Sequence, residues 1–458
     1  MSKNAKSLPN SAGGDTIFAL SSGRGRAGIA VVRVSGPRAR GSIEALTGRP
    51  PGPARRAALR RLSDPVSGDV LDQALVLWFP GPESVTGEDV AEYHIHGGPA
   101  VQEGLLAALA GLDGLSPAPP GAFTRRAFDN GKLDLTEVEG LADLIEAETA
   151  AQRHQALRQL DGGLSALYEG WRTELVRLLA HVEAAIDFAE EDLPEDLIQE
   201  VRPGVAALAC EIGRHLDDNR RGEILRAGLS VAIVGAPNAG KSSFLNALAK
   251  RDVAIVSAAA GTTRDVIEMR LDLAGYPVIL ADTAGLRDAV AAAALDPVEV
   301  EGMRRALMRA EAADLKIVVI DGTGGVQEAA RSLIDEATLV VVNKSDAPDF
   351  EIPRDLAERG ALAASAVRGD GIDVVLDRLG GEASERMAVA EVPAMSRSRH
   401  RAALTDCVGA LDRAGAQVSA ELFAEDLRLA ARSLGELVGR VDVEQLLDVI
   451  FRDFCIGK

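Results

Sequence analysis

The spacing of apolar and polar residues divides the chain into four stretches. Residues 1–14 are polar and rich in Ser, Asn and Gly, which is typical of a mobile terminal tail. From residue 16 to about residue 120, runs such as GIAVVRVSG, QALVLWFP and AEYHIHGG alternate with an Ala/Leu-rich helical segment at 101–112. These short strand-like runs predict a compact α+β domain, whose end is marked by Pro117, Pro119 and Pro120.

A helical period takes over between residues 135 and 225. Leucines recur there with few breakers, and one example is the set Leu157, Leu160, Leu164 and Leu167. After Pro393 the chain is helical again, but a segment of about 65 residues would bury little core alone. We therefore predict one helical bundle that a further domain interrupts.

Residues 227–382 alternate strand-like and helix-like segments, which is typical of a doubly wound α/β domain. The predicted fold class is therefore multidomain, with α+β, helical and α/β parts. We predict a tail at 1–14, an N-terminal α+β domain at 15–125, a helical domain at 126–225 with 385–458, and an inserted α/β domain at 226–384.

The most informative motif opens the inserted domain. The apolar run Leu229–Val234 leads into Gly235-Ala-Pro-Asn-Ala-Gly-Lys-Ser242, which fits the phosphate-loop pattern G-x-x-x-x-G-K-[ST] between a strand and a helix. Its glycines let backbone N–H groups point at phosphate oxygens, its lysine supplies a cation, and its serine supplies a Mg²⁺ ligand. The predicted phosphate-binding residues are Asn238, Ala239, Gly240, Lys241, Ser242 and Ser243.

A second group of residues selects the base. Asn343, Lys344 and Asp346 follow a strand-like run, and a carboxylate at the last position can accept from both the ring N–H and the 2-amino group of guanine. Adenine offers neither donor there, so the predicted nucleotide is GTP. Ser365 and Ala366 stand where GTPases place a backbone donor for the guanine oxygen.

Another strand-like run ends in Asp282, Thr283, Ala284 and Gly285. The aspartate can hold Mg²⁺ through water, and the glycine N–H lies near the terminal phosphate in GTPases of this pattern. Many GTPases carry a glutamine at the next position, where this chain has Leu286. Because leucine cannot polarise water, the hydrolysis needs another organiser and another cation.

Hard oxygen donors surround the predicted phosphate site. Asn238 offers an amide oxygen, and the loop Ser257–Thr263 offers hydroxyls and carbonyls. These donors suit a monovalent cation that neutralises developing charge. Loop capping is the alternative role of Asn238.

Composition and charge narrow the partners. The net charge is −19, and residues after 120 carry it, so a large acidic surface repels phosphodiester backbones. An RNA substrate would be presented by a basic partner or held at a patch such as Arg55, Arg56, Arg60 and Arg61, which is more ordinarily a solvated loop. No membrane-spanning run occurs, and three widely spaced cysteines argue against disulfides, so a cytoplasmic protein is expected.

Motifs along the whole chain resemble those of the MnmE-type tRNA-modification GTPases. The likeness extends from Asp15 to Lys458 and includes the motifs Gly28-Ile-Ala-Val-Val-Arg-Val-Ser-Gly36, Thr86-Gly-Glu-Asp-Val-Ala-Glu92, Ala127-Phe-Asp-Asn-Gly-Lys-Leu-Asp-Leu135, Gly261-Thr-Thr-Arg-Asp265 and Phe454-Cys-Ile-Gly-Lys458. The resemblance implies an N-terminal folate-binding and dimerising domain, a helical domain and an inserted GTPase domain.

It also implies a homodimer that works with a flavin- and NADH-dependent partner, in a heterotetramer that modifies tRNA presented by the partner. The product is 5-carboxymethylaminomethyl or 5-aminomethyl uridine at the wobble position. A tetrahydrofolate derivative, in the 5-formyl or 5,10-methylene form, supplies the one-carbon unit. In the family, GTP hydrolysis depends on K⁺ and on contact between two GTPase domains, which agrees with the missing glutamine.

Carried over by position, the resemblance assigns site residues. K⁺ would be held by Asn238, Ser257, the carbonyl of Ala259 and Thr262, and Mg²⁺ by Ser242 and Thr263. Glu299 resembles the glutamate that orients the hydrolytic water and would act in catalysis with Asn238 and Lys241. The alternative interpretation of Glu299 is an ordinary surface glutamate in the first turn of a helix.

The resemblance places a folate site in the N-terminal domain. Arg33, Glu92, Lys132 and Lys458 would contact the folate, since cations and a carboxylate suit its glutamate tail and donor-rich pterin. Cys455 could be a nucleophile toward the one-carbon carrier or a small packed side chain.

Some features depart from the family or have other interpretations. Ala122 stands where the family usually has a glutamate, and an Ala-rich stretch at 289–294 lengthens the second switch. His94 and His96 share a strand face but have no third metal ligand at suitable spacing, so packing or folate contact is favoured over metal.

Two other functions fit the sequence: a GTPase switch in ribosome assembly without folate chemistry, and a folate-dependent metabolic enzyme that GTP regulates. Failure to bind a tetrahydrofolate derivative would favour the first. A wobble uridine that is still modified in a deletion strain would favour the second.

Overall fold

The structure is a computed structural model that describes most of the chain. The described residues are 15–23, 25–187, 197–236, 238–251, 253–255, 268–282, 312–324, 331–336, 338–388, 393–441, 447, 450, 451, 454 and 457. For Leu197, Ile198, Glu268 and Asp282 the backbone alone is described. The predicted tail at 1–14 lies outside these residues.

The chain forms two compact units. The first comprises residues 1–142 with 435–458, and the second comprises residues 143–434. The C-terminal residues from 435 onward thus belong with the N-terminal unit. The predicted domain boundaries at 125, 225 and 384 cut the chain at other places and stay predictions.

A six-stranded sheet forms the centre of the first unit, in the order β3-β4-β5-β2-β1-β6. Neighbouring strands are antiparallel except β1 and β6, which are parallel. Its strands are β1 (Thr16–Leu20), β2 (Ile29–Ser35), β3 (Ala58–Ser63), β4 (Val70–Phe79), β5 (Val90–His96) and β6 (Leu115–Pro117). Its helices are α1 (Ala39–Thr47), α2 (Pro99–Ala110), α3 (Ala122–Asp129) and α4 (Leu135–Glu146), the last of which runs on into the second unit.

The pleat of this sheet separates an apolar face from one that carries both polar side chains and a smaller apolar cluster around Ile17 and Phe123. Every second residue of β2 and β5, such as Val32 and Tyr93, packs with α1 and α2 in one buried cluster. Because side chains alternate across a strand, Arg33, Glu92 and His94 lie on the opposite face. A second cluster joins the C-terminal residues to α4 and contains Leu135, Val138, Leu447, Ile450, Phe451 and Phe454.

A second six-stranded sheet organises residues 229–363, in the order β12-β11-β10-β7-β9-β8. All neighbours are parallel except the hairpin β8–β9. Its strands are β7 (Leu229–Val234), β8 (Glu268–Leu273), β9 (Tyr276–Asp282), β10 (Leu315–Asp321), β11 (Thr338–Asn343) and β12 (Leu362–Ala363), and the helices along it are α9 (Lys241–Ala249), α10 (Arg354–Glu358) and α11 (Ile372–Met387).

Apolar side chains cover both faces of this sheet. Val231, Ile317 and Val341 pack into one cluster, while Val318 and Val340 of the same strands pack into another. Burial on both faces explains why β7, β10 and β11 are almost continuously apolar. Their carboxyl ends meet at one edge of the sheet, which is where ligands bind in open parallel sheets.

The remaining helices of the second unit are α5 (Ala150–Leu160), α6 (Gly163–Asp187), α7 (Leu197–Leu216), α8 (Arg221–Ala227), α12 (Ser398–Ala416) and α13 (Ala420–Leu437), which ends in the first unit. The leucine repeat at 157–167 belongs to two helices, α5 and α6. The chain breaks after Leu160, where Gly162 adopts a φ of +83°, so the repeat serves two helices. Leu164 is buried, whereas Leu157 is 39% exposed.

The predicted fold class, with α+β, helical and doubly wound α/β parts, is confirmed. Within the described residues, no helix combines the length and the apolar character that crossing a membrane requires.

Candidate nucleotide-binding site

The loop after β7 has the backbone shape of a phosphate cradle. Gly235 has a φ of +152°, and a Cβ there would lie 2.2 Å from the carbonyl oxygen of Val319. Gly240 has a φ of +90°, and a Cβ there would lie 2.3 Å from Nδ2 of Asn343. Both positions therefore exclude every side chain. Between them, Asn238 also adopts a positive φ, of +63°, and is exposed.

Lys241 begins α9 and is turned back into this loop. Its Nζ donates to the carbonyl oxygens of Gly235, at 3.0 Å, and Ala236, at 2.7 Å. The ammonium group thus lies where the loop and the N-terminus of α9 converge, and its donors can turn to phosphate oxygens. Ser242 and Ser243 follow in the first turn of α9 and are exposed, while Ala239 is buried in the core beneath.

Asn343 joins the phosphate loop to the loop that follows β12. Its Nδ2 donates to the carbonyl oxygen of Ala239 at 2.9 Å, and its Oδ1 accepts from the N–H of Ala366 at 3.0 Å. The side chain is buried, with the residue 2% exposed. The structure thus brings together three of the residues predicted from separate motifs.

Asp346 is prepared to act as a hydrogen-bond acceptor. The buried Ser365 donates from Oγ to Oδ1 of Asp346 at 2.6 Å. This bond, the backbone N–H of Asp346 and the nearby charge of Arg368 lower the pKa of Asp346 below its usual value. A carboxylate that stays ionised at neutral pH can accept two hydrogen bonds from a guanine edge.

The partner of Lys344 was not predicted from the sequence. Its Nζ donates to Oδ2 of Asp321 at 2.6 Å, and the other oxygen of Asp321 accepts from the N–H and O–H of Thr323. Burial works against ionisation of Asp321, but the bonds from Lys344 and Thr323 lower its pKa overall. The position of Asp321 in the sequence could have indicated this partner, since Asp321 ends the apolar strand β10 at the carboxyl edge of the sheet.

Several predicted site residues cannot be compared with the structure. Asp282 ends β9 opposite Ile233 of β7, and its backbone alone is described. The residues that lie outside the described part are Ser257, Ala259, Thr262, Thr263, Thr283, Ala284, Gly285, Leu286 and Glu299. Their roles stay predictions.

A polar cluster lies on the face of the first sheet that bears Arg33 and Glu92. Nε and Nη2 of Arg33 contact Oε1 of Glu92 at 2.9 and 2.8 Å, and Oε2 of Glu92 lies 3.3 Å from Nε2 of His94. The guanidinium of Arg33 also lies 5.7 Å from the centre of the Phe123 ring. The two groups that were assigned separately to a ligand are therefore bonded to each other, because β2 and β5 place Arg33 opposite Glu92.

The other residues of the predicted folate site are partly described. Lys132 is exposed in the turn after α3, while Cys455 and Lys458 lie outside the described residues. Their neighbour Gly457 accepts a hydrogen bond from Oγ of Ser21 at 2.8 Å, and a Cβ at Gly457 would lie 2.0 Å from the carbonyl oxygen of Leu20. The glycine of the C-terminal motif is therefore packed against the end of β1.

The two histidines on β5 have carboxylate partners. Nδ1 and the backbone N–H of His96 both lie 2.8 Å from Asp72 oxygens. Burial opposes ionisation of Asp72, but these bonds to His96 lower its pKa overall. No three His, Cys, Asp or Glu side chains of the described residues are grouped so that they could hold a metal ion.

Comparisons with known proteins agree with this geometry. The family model described as "GTP-binding protein TrmE N-terminus" matches residues 16–132, and "MnmE helical domain" matches residues 135–455. The tRNA modification GTPase MnmE of Paramagnetospirillum magneticum is 55% identical over 446 residues, covering 97% of this chain and 100% of the relative. That of Parvibaculum lavamentivorans is 57% identical over 449 residues, with the same coverage.

The likeness extends to a mitochondrial protein. The 5-taurinomethyluridine-[tRNA] synthase subunit GTPB3 of Homo sapiens is 48% identical over 480 residues, covering 100% of this chain and 96% of the relative. The chain therefore belongs to the TrmE/MnmE family of tRNA modification GTPases.

Proposed function

We propose that the chain hydrolyses GTP and thereby drives formation of 5-carboxymethylaminomethyl or 5-aminomethyl uridine at the wobble position of tRNA. The bond pattern of Asn343 supports this most directly, because that side chain holds the phosphate loop and the base-binding loop as one site. Next to it, Ser365 supports Asp346 as the acceptor that separates guanine from adenine.

Hydrolysis at this site needs a cation besides the lysine. Lys241 and the N-terminus of α9 would bind the outer phosphates, and Ser242 with Thr263 would hold Mg²⁺, which neutralises phosphate charge. Because Leu286 cannot polarise water, we assign K⁺ to Asn238 and the loop residues Ser257, Ala259 and Thr262, and orientation of the water to Glu299. The exposed amide of Asn238 beside the cradle supports this assignment.

The polar cluster around Arg33 and Glu92 is the proposed site of a tetrahydrofolate derivative, in the 5-formyl or 5,10-methylene form. Glu92 would accept from the pterin, while Arg33, Lys132 and Lys458 would meet the glutamate tail. Gly457, which lies between Cys455 and Lys458 in the sequence, packs at the end of β1. This C-terminal segment therefore belongs to the same unit as Arg33. Such a cofactor would supply the one-carbon unit there.

The acidic surface affects how tRNA can be bound. With a net charge of −19, the chain would repel tRNA over most of its surface, so we propose that a flavin- and NADH-dependent partner presents the tRNA. The working assembly is then a homodimer of this chain with two partner subunits, in the cytoplasm.

Base selection is tested by Asp346→Asn. Xanthine carries an oxygen where guanine carries the 2-amino group, so an asparagine amide can donate to xanthine and no longer accepts both guanine donors. We expect GTP affinity to fall by roughly 100-fold and xanthosine triphosphate affinity to rise, measured by calorimetry. Asp349→Asn, three residues further on, is the control; unchanged GTP affinity in Asp346→Asn would contradict the assignment.

The cellular function is tested by nucleoside mass spectrometry of tRNA from a deletion strain. The wobble uridine should lack the modification, and the wild-type gene should restore it while the Asp346→Asn gene should not. A fully modified wobble uridine in the deletion strain would refute the proposed function.

The cation requirement is tested by the rate of GTP hydrolysis. Hydrolysis by the purified chain should be at least roughly tenfold faster in K⁺ than in Na⁺.

A further inference from the structure

A buried carboxylate bridges the two chain segments that connect to the GTPase fold. Oδ1 of Asp143 accepts from Nε of Arg226 at 2.7 Å and from Nη2 of Arg397 at 2.7 Å. The Asp143 side chain is only 9% exposed. Arg226 lies in the last turn of α8, directly before β7, and Arg397 directly precedes α12. One carboxylate therefore holds both the incoming and the outgoing connection.

The same region contacts the β8–β9 hairpin. The N–H of Ala151 donates to the carbonyl oxygen of Gly275 at 3.0 Å, and Nη1 of Arg270 lies 2.9 Å from Oε2 of Glu148. The far end of this hairpin is Asp282, at the carboxyl edge beside β7. We call Asp143, Glu148, Arg226, Arg270 and Arg397 the junction.

Glutamines of α5 reinforce the incoming connection. Nε2 of Gln152 donates to the carbonyl oxygen of Arg226, and Nε2 of Gln155 donates to that of Gly222, both at 3.1 Å. Because α8 leads through Gly228 into the strand that carries the phosphate loop, these contacts hold the segment through which a shift of that strand would be transmitted. Asp143 is also the first residue of the second unit, so the chain leaves toward the first unit at this same point.

A small cavity and two spare acceptors lie at the junction. The cavity, of about 30 Å³, lies beside Asp143 and Gln155. Among the described residues, none donates a hydrogen bond to Oδ2 of Asp143 or Oε1 of Gln155, although both atoms are buried. A donor of the junction can therefore turn to a second oxygen of the same side chain. Networks of hydrogen bonds and ion pairs of this kind carry coupling between sites.

We propose that the junction couples the nucleotide state of the GTPase fold to the remainder of the chain. Asp143 is a positioning residue in this scheme, and it acts through Arg226 and Arg397 without touching nucleotide. The inference rests on the proposed function, because coupling matters only if GTP hydrolysis drives tRNA modification.

The first test needs nucleotide binding alone. Hydrogen exchange in peptides that contain Ala151 and Arg226 is compared with GDP and with a non-hydrolysable GTP analogue bound. We expect a difference of roughly fivefold or more in the wild type, and its loss in Asp143→Asn. Exchange that does not depend on the nucleotide in the wild type would overturn the proposal.

The second test separates coupling from folding. Asp143→Asn in the full assembly should keep GTP hydrolysis within about twofold of wild type but lower the modified uridine formed per GTP hydrolysed by roughly fivefold. Asp355→Asn, which breaks the exposed pair with Arg331 in the same unit, should leave that ratio unchanged. A parallel loss of hydrolysis, modification and melting temperature, with the ratio kept, would mean a structural role and overturn the proposal.

A variant with a half-exposed partner covers the case in which Asp143→Asn does not fold. Glu148→Gln breaks only the contact to Arg270, whose side chain is 46% exposed, and should lower the same ratio in the same direction. An unchanged ratio in Glu148→Gln would then overturn the proposal. Hydrolysis without any modified uridine in the wild type would refute the proposed function instead, while the exchange experiment would still decide on the junction.

Discussion

At the residue scale, the polar side chains of the candidate site form hydrogen bonds with other protein groups. Asn343 and Asp346 were predicted because their motif is short and its spacing is fixed by one strand end. The pairs Lys344–Asp321 and Arg33–Glu92 were not, because each joins residues of different strands, and only strand register brings them together. The sequence thus predicted candidate ligand residues but not the bonds that position them.

Asn343 gives the sharpest prediction at this scale. Asn343→Ala leaves the carbonyl of Ala239 and the N–H of Ala366 unpaired in a buried place, which should lower the free energy of unfolding by roughly 2–4 kcal/mol and weaken GTP binding. Denaturant unfolding and calorimetry measure both. Asn343→Asp keeps an acceptor for Ala366 but turns a buried carboxylate oxygen toward the carbonyl of Ala239, so it should destabilise at least as much as Asn343→Ala; equal stability of all three proteins would contradict the role of Asn343 as a brace.

At the scale of elements, sequence patterns predicted what is long or strongly apolar. Strands β7 and β11 were identified because their residues are apolar almost throughout, as burial on both faces of a parallel sheet requires. The two-residue strand β12 and the five-residue helix α10 were missed, since neither is long enough for a period to repeat several times. The leucine repeat across Gly162 shows that one helical period can continue through two helices.

The turn before α11 should tolerate no side chain. Gly371 has a φ of +74°, and a Cβ there would lie 2.1 Å from the carbonyl oxygen of Ala363. Gly371→Ala should therefore cost roughly 2–4 kcal/mol of stability and weaken GTP binding through the loop at Ser365. Denaturant unfolding and calorimetry would measure the two effects.

Gly381 in the same helix provides the matched control. Nothing lies within 4 Å of a Cβ placed there, so Gly381→Ala should stabilise the helix by about 0.5–1 kcal/mol. If both alanine variants changed stability in the same direction and by the same amount, the close approach at Gly371 would not be what requires glycine.

At the scale of the whole molecule, the division into units follows tertiary contacts that no periodicity encodes. Leu447, Phe451 and Phe454 pack with Leu135 and Val138, although more than 300 residues of the chain separate the two segments. The predicted helical domain at 126–225 with 385–458 contains both segments, and its boundaries stay a prediction. Local pattern specifies an element, whereas its packing partner depends on which apolar faces remain uncovered after the rest has folded.

The second unit should lose stability as the pH falls through the range of histidine titration. His215 packs edge-on against the rings of Trp171 and Tyr168, and burial lowers its pKa from 6.5, helped by the charges of His400 and Arg401 and opposed by Asp218. The fold therefore favours neutral His215, while the unfolded chain takes up the proton more readily. Stability is full above pH 6.5 and declines as the pH falls from there toward the lowered pKa.

Calorimetric melting between pH 7.5 and 5.5 measures this decline. His215→Phe keeps an aromatic ring without the titrating group, so its melting temperature should fall less over this range than that of the wild type. His154→Gln, which changes an exposed histidine of the same unit, should follow the wild-type curve. Identical slopes for His215→Phe and the wild type would show that protonation of His215 is not linked to unfolding, and that the acid sensitivity of the fold arises elsewhere.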